Sequence, residues 1–301
     1  MTGARDTAPA TAVVAAAAPL WACAEDVRSA AAPGGCSHGA YLAWVRRLLP
    51  DQAPLRGRLH TVALSGEPVR VLRAVDASAV EVELPAQPNG SAGYVGFMDA
   101  AHLGADARRK PTHVVAERGV LAMTTGPAAE AEPVELPAGT TVELRSDPAA
   151  RGDAELLLAS GATVRRSLSG LRLVGERVDA LELLAIAARF VGAPYLWGGI
   201  EAAGVDCSGL VHLAARIGGR VVPRDAHHQW AAMRIDAAAD PVAGDLIFFG
   251  EEASLEGIDH VGISWGDGRM LHAPEAGRPV VLERLSDRAC ARTVGVGRYA
   301  A

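Results

Sequence analysis

One cysteine in the sequence has surroundings that suit a nucleophile better than a core residue. Cys207 stands between an acid and a hydroxyl in "GVDCSGLVHLAA", residues 204–215, directly before an apolar run of helical character. If a helix begins near residue 207, its unpaired N–H groups and its dipole favour the thiolate. The same N–H groups can hold an oxyanion during acyl transfer. The motif therefore predicts nucleophilic catalysis by this thiol.

A thiol nucleophile needs a base, and two histidines of one predicted hairpin are the candidates. "DHVGISWGDGRMLHA" predicts a β-hairpin with a three-residue loop at residues 266–268, where glycines allow a positive φ. That loop would place His272 opposite Gly262 and on the same sheet face as His260. One imidazole can then act as base while the other orients it. A two-residue loop would separate the histidines, so the prediction depends on the turn.

The elements around these residues predict a C-terminal α+β domain, which we assign to residues 176–301. "DALELLAIAARFVG" has an acidic cap and a glycine stop, as expected for a helix, and a second helix begins near Cys207. "GDLIFFG", "HVGISW", "RMLHA" and "PVVLERL" are typical of strands. Helices followed by an antiparallel sheet define the α+β class.

The preceding part of the chain predicts two small all-β units. The first, residues 1–108, alternates apolar and polar residues between turn signals, with a helical insertion near 37–50. The second, residues 109–175, repeats a pattern of strand, glycine and strand. The two units are expected to be related modules in tandem.

The stretch "AVVAAAAPLWACA" near the N-terminus has two interpretations. Its apolar core and small residues would suit a signal peptide. However, Arg5 is followed at once by Asp6, and Pro19 interrupts the apolar run. We therefore favour a β-strand that opens the first unit, and with it a cytoplasmic location.

Composition argues against several classes of partner. The 301-residue chain has a formal net charge of −6 and no run of basic residues, so neither nucleic acid nor an anionic membrane surface is an expected partner. No stretch is long enough to span a membrane as a helix. A disulfide between Cys23 and Cys36 is compatible with the sequence, but a chain of this length does not need one.

Four short motifs together resemble the NlpC/P60 family of cell-wall cysteine peptidases. These are "PYLWGG", "DCSGL", "DHVGI" and the histidine that follows at position 272. The resemblance covers residues 180–300 and implies a papain-like core with a Cys-His-His triad. The upstream units resemble bacterial SH3 domains. The helical insertion, "GEPVRVL" and "GYVGFM" are similar to a subgroup, the γ-D-glutamyl-L-diamino acid endopeptidases.

The resemblance implies roles for individual residues. Cys207 would attack the γ-D-glutamyl carbonyl, His260 would act as base and then acid, and His272 would orient it. Tyr195 would donate to the oxyanion. We predict no cofactor and no metal, although Cys207 and the two histidines could in principle hold zinc.

In the subgroup, acidic and hydroxyl groups hold the free amine of an N-terminal L-alanine. Carried over by motif, they are Asp206, Ser208, Asp225, Tyr94 and Glu67. Asp206 could instead serve as a helix cap, or do both. The sequence departs from the subgroup at Phe97 and Ala226, so one wall of the pocket is expected to differ.

The expected function is hydrolysis of the γ-D-glutamyl–diamino acid bond of murein peptides with a free N-terminal L-alanine, in cell-wall recycling. One alternative is a secreted endopeptidase or amidase that acts on intact peptidoglycan. Another is a cell-wall binding protein without activity, which the intact Cys207, His260 and His272 disfavour. The sequence leaves open the diamino acid and the oligomeric state.

Overall fold

Three structural parts follow one another along the chain. The computed structural model describes residues 10–29, 33, 35–125, 133–146 and 153–299. Two all-β units come first, and a domain with both helices and an antiparallel sheet follows. This arrangement confirms the predicted α+β class.

The first unit is an antiparallel structure that carries a helical insertion. Five strands form one sheet in the order β3-β2-β6-β5-β4, and β1 pairs with β7 beside it. Its elements are β1 (Thr11–Val13), β2 (Ala17–Trp21), α1 (Ala24–Val27), α2 (His38–Leu48), β3 (Leu59–Leu64), β4 (Arg70–Ala74), β5 (Ala79–Asn89), β6 (Ala92–Asp99) and β7 (Leu103–Ala105), with 3-10 turns at Ala53–Leu55 and Ala100–His102.

Two predictions for this unit are confirmed. The apolar N-terminal stretch forms β1 and β2, and β2 is buried along its whole length. The insertion forms α2, whose N-cap Ser37 accepts a hydrogen bond from the N–H of Ala40. Buried Tyr41 and Trp44 of this helix, together with Trp21 of β2, form a cluster of aromatic rings.

The second unit is a seven-stranded antiparallel arrangement with its own apolar core. Its strands are β8 (His113–Val115), β9 (Gly119–Thr125), β10 (Pro133–Pro137), β11 (Thr141–Ser146), β12 (Ala154–Leu157), β13 (Thr163–Arg166) and β14 (Leu171–Leu173), in the spatial order β10-β9-β13-β12-β11-β8-β14. All strands of both units fall inside the predicted ranges 1–108 and 109–175. Their assignment to the SH3 class, and the exact boundaries, stay predictions.

The C-terminal domain packs helices against a six-stranded antiparallel sheet in the order β17-β22-β18-β19-β20-β21. Its elements are α3 (Ala180–Ala188), β15 (Ile200–Glu201), β16 (Gly204–Val205), α4 (Cys207–Ile217), α5 (Ala226–Ala231), β17 (Arg234–Asp236), β18 (Leu246–Gly250), β19 (Ile258–Gly266), β20 (Arg269–His272), β21 (Val281–Arg284), α6 (Asp287–Arg292) and β22 (Thr293–Arg298).

Helix α4 is the central helix of this domain, because ten of its eleven residues are buried. Leu210, Val211 and Leu213 belong to an apolar cluster that continues into α2 and β3 of the first unit. Apolar burial of this kind is the main favourable contribution to folding. The first unit and the C-terminal domain therefore share one core.

The predicted hairpin forms, although its turn differs from the expectation. β19 runs to Gly266 and β20 begins at Arg269, so the loop has two residues, with positive φ at Asp267 and Gly268. An irregularity between Ser264 and Gly266 inserts one extra residue into β19. This bulge compensates for the shorter loop, so the register before it is the predicted one.

Two further observations concern the cysteines and the membrane. Cys23 and Cys36 are free thiols, and each donates a hydrogen bond elsewhere, to Asp26 and to the carbonyl of Ala101. Within the described residues, no helix has the length and apolar character needed to cross a membrane.

Candidate active site

The predicted nucleophile is the first residue of helix α4. Asp206 is the N-cap, and its carboxylate accepts a hydrogen bond of 2.7 Å from the N–H of Gly209. Cys207 is therefore held at the end of the helix where backbone N–H groups are free to stabilise negative charge. Its side chain is buried, with 8% of the residue exposed.

A buried ion pair fixes the start of this helix. Arg224 donates to both carboxylate oxygens of Asp206, at 3.0 and 2.8 Å, and both residues are buried. The second carboxylate oxygen also accepts from the N–H of Gly198, in the loop before the helix. One carboxylate thus joins the nucleophile's helix to the "PYLWGG" loop.

The glycine after Ser208 is required by close packing against the same loop. A Cβ atom on Gly209 would lie 2.0 Å from the carbonyl oxygen of Gly199. No side chain fits at that distance, so only glycine lets the helix start here.

The two histidines meet as the hairpin register predicted. Nε2 of His260 lies 2.8 Å from Nδ1 of His272. Nε2 of His272 lies 3.0 Å from Oε1 of Glu283, a strand β21 residue that the sequence analysis did not single out. Arg278 donates to the other oxygen of Glu283 at 2.7 Å.

This chain of contacts assigns the protons on both rings. Arg278 and His272 lower the pKa of Glu283, although burial opposes them, so the carboxylate is ionised and only accepts. Nε2 of His272 must then carry its proton, and its Nδ1 accepts from Nε2 of His260. Nδ1 of His260 remains as that ring's proton acceptor. Glu283 therefore sets the tautomer needed for a general base.

Burial shifts the pKa values of Cys207 and His260 in opposite directions. Burial, reinforced by the charge of Asp206, raises the pKa of Cys207 to about 12. Burial, with His272 and Arg292 adding to it, lowers the pKa of His260 to about 3. The backbone of Val261, next to His260, hydrogen-bonds the sulfur and opposes the rise in its pKa. Burial thus favours the neutral form of both groups.

Tyr195 stands beside the nucleophile as a protonated donor. Burial, reinforced by the charge of Asp206, raises the pKa of its hydroxyl above the ordinary value. It lines both cavities that contain Cys207. A hydroxyl that stays protonated can donate to a developing oxyanion.

A glutamine from the first unit holds the backbone on either side of Leu196. Nε2 of Gln52 donates to the carbonyl of Tyr195 at 2.7 Å, and its Oε1 accepts from the N–H of Trp197 at 2.9 Å. Only 5% of Gln52 is exposed. No local sequence pattern marks Gln52, because it lies more than a hundred positions from the loop that it contacts.

Two cavities meet at Cys207. The first, about 460 Å³, is lined by Tyr94, Trp197, Asp225 and Ala226, and we call it the amine cleft. The second, about 660 Å³, contains His260, His272 and several arginines, and we call it the arginine cleft. Because Cys207, Tyr195 and Asp259 line both, an extended substrate can pass across the sulfur from one cleft to the other.

The structure brings two of the predicted amine ligands together. The hydroxyl of Tyr94 donates to Oδ2 of Asp225 at 2.8 Å across the boundary between the first unit and the C-terminal domain. The other carboxylate oxygen of Asp225, Oδ1, lies 3.9 Å from Nη1 of Arg224. Asp225 lines the amine cleft, so its carboxylate can accept a further donor there.

Asp206 and Ser208 line the same cleft, but their polar atoms are already used. The Asp206 carboxylate accepts five hydrogen bonds, from Gly198, Gly209, Ser208 and twice from Arg224. The Ser208 hydroxyl donates to Asp206 and accepts from Arg224. Of the two readings of Asp206, the structure supports the helix cap.

Glu67 does not lie in either cleft. It is fully buried, accepts from the N–H of Leu64 and forms an ion pair with Arg216 at 3.1 Å. The prediction that Glu67 holds a substrate amine is therefore wrong. The "GEP" turn lies against Arg216, in the last turn of helix α4, and not against the first turn, where Cys207 lies. Of the two departures from the subgroup, Ala226 lines the amine cleft and Phe97 does not.

One group of side chains in the described part of the chain could hold a metal ion. Ligand atoms of Asp225, His227 and His228 lie within 4.8 Å of one another. Cys207, His260 and His272 do not form such a group among these residues. The zinc alternative for the triad has no geometric support.

Removing the contacts of Gln52 is predicted to impair turnover. In Gln52→Ala, two buried backbone groups lose their partners, so we expect the free energy of unfolding to fall by roughly 1–3 kcal/mol. We also expect kcat to fall about tenfold because Tyr195 is no longer fixed, which steady-state kinetics well below the unfolding temperature will measure. The exposed α2 residue Arg46, changed to alanine, is the control. A folded Gln52→Ala variant with the kcat of the wild type would contradict the role of Gln52 in fixing Tyr195.

Neutralising Glu283 is predicted to change both rate and pH profile. The hydrogen bond from His272 to this carboxylate opposes the burial that lowers the pKa of His272. In Glu283→Gln the protonated imidazole pair loses this negative partner, so its pKa should fall. The acid limb of the kcat–pH profile should therefore move to lower pH. The maximal kcat should fall by about tenfold or more, since the imidazolium formed on attack is less stabilised. Glu256→Gln, an exposed loop change, is the control; an unshifted limb would refute the tautomer assignment.

Comparison with known proteins gives the family. The sequence profile of the NlpC/P60 family matches residues 192–298, the segment that contains Cys207, His260 and His272. A γ-D-glutamyl-L-lysine dipeptidyl-peptidase of Bacillus subtilis is 32% identical over 238 residues, which are 76% of this chain and 77% of the relative. A protein of the same name from Bacillus cereus is 27% identical, over 90% of this chain and 84% of the relative.

A solved structure shares the fold of nearly the whole chain. The crystal structure of an NlpC/P60 family protein from Bacillus cereus matches with a TM-score of 0.85 and 24% identity, over 96% of this chain and 99% of that one. The all-β units and the C-terminal domain are therefore combined in that protein as they are here. With the family profile on the site and a peptidase similar along three quarters of both chains, this chain belongs to the NlpC/P60 family of cysteine peptidases.

Proposed function

We propose that this cysteine peptidase hydrolyses the γ-D-glutamyl–diamino acid bond of murein peptides whose N-terminal L-alanine is free. The observation that carries the proposal is the position of Cys207 between two clefts of different charge. The carboxylate of Asp225 stands in one, and the arginines line the other. The relatives from two Bacillus species, named as γ-D-glutamyl-L-lysine dipeptidyl-peptidases, support the same bond type.

The amine cleft accounts for the free N-terminus. Asp225 offers a carboxylate oxygen there, and Tyr94 donates to the other oxygen, which keeps the carboxylate oriented. An ammonium group favours a carboxylate at hydrogen-bond distance, and the interaction is stronger where water is excluded. An acylated alanine nitrogen carries no charge and has lost donors, so it leaves the carboxylate partly unpaired.

Acylation follows from the proton positions on the two rings. The sulfur of Cys207 attacks the γ-carbonyl carbon while Nδ1 of His260 takes the thiol proton. The oxyanion accepts from the N–H of Cys207 and the hydroxyl of Tyr195. The C–N bond then breaks, His260 returns the proton to the departing amine, and a thioester remains on Cys207.

Deacylation uses the same groups in reverse. Water attacks the thioester carbonyl while Nδ1 of His260 takes one of its protons. The C–S bond breaks, the L-Ala-γ-D-Glu acid leaves, and His260 returns the proton to the sulfur. His272 and Glu283 stabilise the imidazolium in both halves of the cycle.

The requirement for a free amine also bears on where the enzyme acts. In intact peptidoglycan the alanine nitrogen is acylated, so the amine cleft favours fragments that have already been released. We therefore propose a role in recycling soluble murein peptides, and the cytoplasm as the compartment.

Removing the nucleophile tests the reaction itself. Cys207→Ala should abolish cleavage of L-Ala-γ-D-Glu-diamino acid peptides, followed by mass spectrometry of the products, with the circular dichroism spectrum unchanged. Because the variant keeps both clefts, peptide binding measured by calorimetry should persist. Cleavage at the wild-type rate would end the proposal, and binding without turnover by the wild-type protein would favour a binding protein.

Blocking the alanine amine tests the amine cleft. Acetylation should lower kcat/KM by roughly a hundredfold, since a desolvated charge pair broken on one side costs about 2–5 kcal/mol. In Asp225→Asn the peptide with a free amine should lose most of its advantage in kcat/KM, mainly because its KM rises. The ratio of kcat/KM for the free peptide to kcat/KM for the acetylated peptide should then approach one. Asp267→Asn, at the exposed hairpin tip, is the matched control. Equal turnover of both peptides by the wild type would favour an enzyme of the intact wall.

A further inference from the structure

Three side chains at the start of helix α5 come together at the edge of the amine cleft. Asp225 is the residue before the helix, and His227 and His228 lie in its first turn. Ligand atoms of all three lie within 4.8 Å of one another, and all three residues are partly exposed. Asp225 and His227 line the cleft itself. The reaction proposed above uses neither of these histidines.

His228 provides a second, independent observation at this position. Its Nδ1 is buried and has no hydrogen-bond partner among the described residues. A buried polar nitrogen without a partner is uncommon in folded proteins, so it points to a group outside the chain, such as a water molecule or an ion. The ring also lies close to the turn between β5 and β6, since a Cβ atom on Gly90 would be 3.6 Å from its Nε2. The first unit therefore restricts this ring.

The other two groups are positioned by their own neighbours. The ring centroids of His227 and His228 are 4.1 Å apart. The carboxylate of Asp225 accepts a hydrogen bond of 2.8 Å from the hydroxyl of Tyr94. Carboxylates that bind metal ions are commonly oriented by such a hydrogen bond from a residue outside the ligand set. The charge of nearby Arg224 is compensated by its ion pair with Asp206.

Two imidazoles and one carboxylate form a ligand set that suits zinc. Zinc takes nitrogen and oxygen ligands at roughly 2.0–2.2 Å in tetrahedral geometry, so its ligand atoms lie about 3.4 Å apart. Because the atoms here already lie within 4.8 Å of one another, small side-chain rotations reach that separation. Magnesium and calcium prefer oxygen ligands, so imidazoles select against them.

We propose that Asp225, His227 and His228 form a binding site for Zn²⁺ whose occupation inhibits the enzyme. The inhibition rests on the function proposed above, in which Asp225 binds the ammonium group of the substrate. A zinc ion and an ammonium group compete for this carboxylate, because both are cations and like charges repel. Zinc therefore excludes the substrate from the amine cleft without contacting His260 or His272. The ion acts as an inhibitor and not as a cofactor.

Calorimetry on the Cys207→Ala variant tests the site without interference from the thiol. We expect one equivalent of Zn²⁺ to bind, and no Mg²⁺. In Cys207→Ala/His227→Gln/His228→Gln the affinity should fall at least about a hundredfold, since loss of a residue that only orients a ligand already costs about 10–100-fold. Cys207→Ala/His60→Gln, which changes another histidine of the amine cleft, is the matched control. Absence of zinc binding by Cys207→Ala, or equal affinity in the triple variant, overturns the site.

Steady-state kinetics with the free-amine peptide test the competition. Zn²⁺ should raise KM and leave kcat unchanged, and the inhibition constant should be about tenfold higher or more in His227→Gln/His228→Gln. No effect of zinc on the wild type, or equal inhibition of both proteins through the Cys207 thiol, overturns the inhibitory role. If the wild type cleaves no peptide while calorimetry shows the histidine-dependent zinc binding, the proposed function fails and the metal site stands.

Discussion

The active site depends on the buried ion pair between Asp206 and Arg224. Taking two charges out of water is costly, and a buried pair is tolerated only when its remaining donors and acceptors are satisfied. Here they are, since the carboxylate also caps helix α4 and binds Gly198, while the guanidinium also contacts Ser208 and Thr61. The pair thus fixes the nucleophile's helix, the loop that carries Tyr195, and strand β3 of the first unit at once.

The same pair also positions groups of the proposed substrate-binding site. Asp225 directly follows Arg224, so the ion pair that holds the helix also holds the carboxylate of the amine cleft. Tyr94, which completes that cleft, comes from the first unit. Gln52 comes from the same unit and fixes the backbone of Tyr195. The first unit is therefore part of the active site, which is consistent with the core it shares with the C-terminal domain.

Local sequence patterns predicted those features of the site that depend on residues close together in the chain. The cap and glycines around Cys207 gave the helix start, and the hairpin gave the pairing of His260 with His272, even though the loop is one residue shorter than expected. Contacts between distant segments cannot be predicted from local patterns. For that reason Gln52 was not predicted and Glu67 was assigned to the wrong place. Glu283 is an intermediate case. It pairs with Met270, on the same strand face as His272, so the register of a third strand would have identified it.

Burial raises the pKa of Cys207 and lowers that of His260, so it opposes the charged form of both groups. In the proposed reaction, attack on an acyl carbon transfers the thiol proton of Cys207 to His260 and leaves positive charge on that ring. Glu283 stabilises that charge through His272, and the helix N-terminus stabilises the negative charge that develops opposite it. These electrostatic groups therefore act on the charge that develops when an acyl carbon lies against the sulfur.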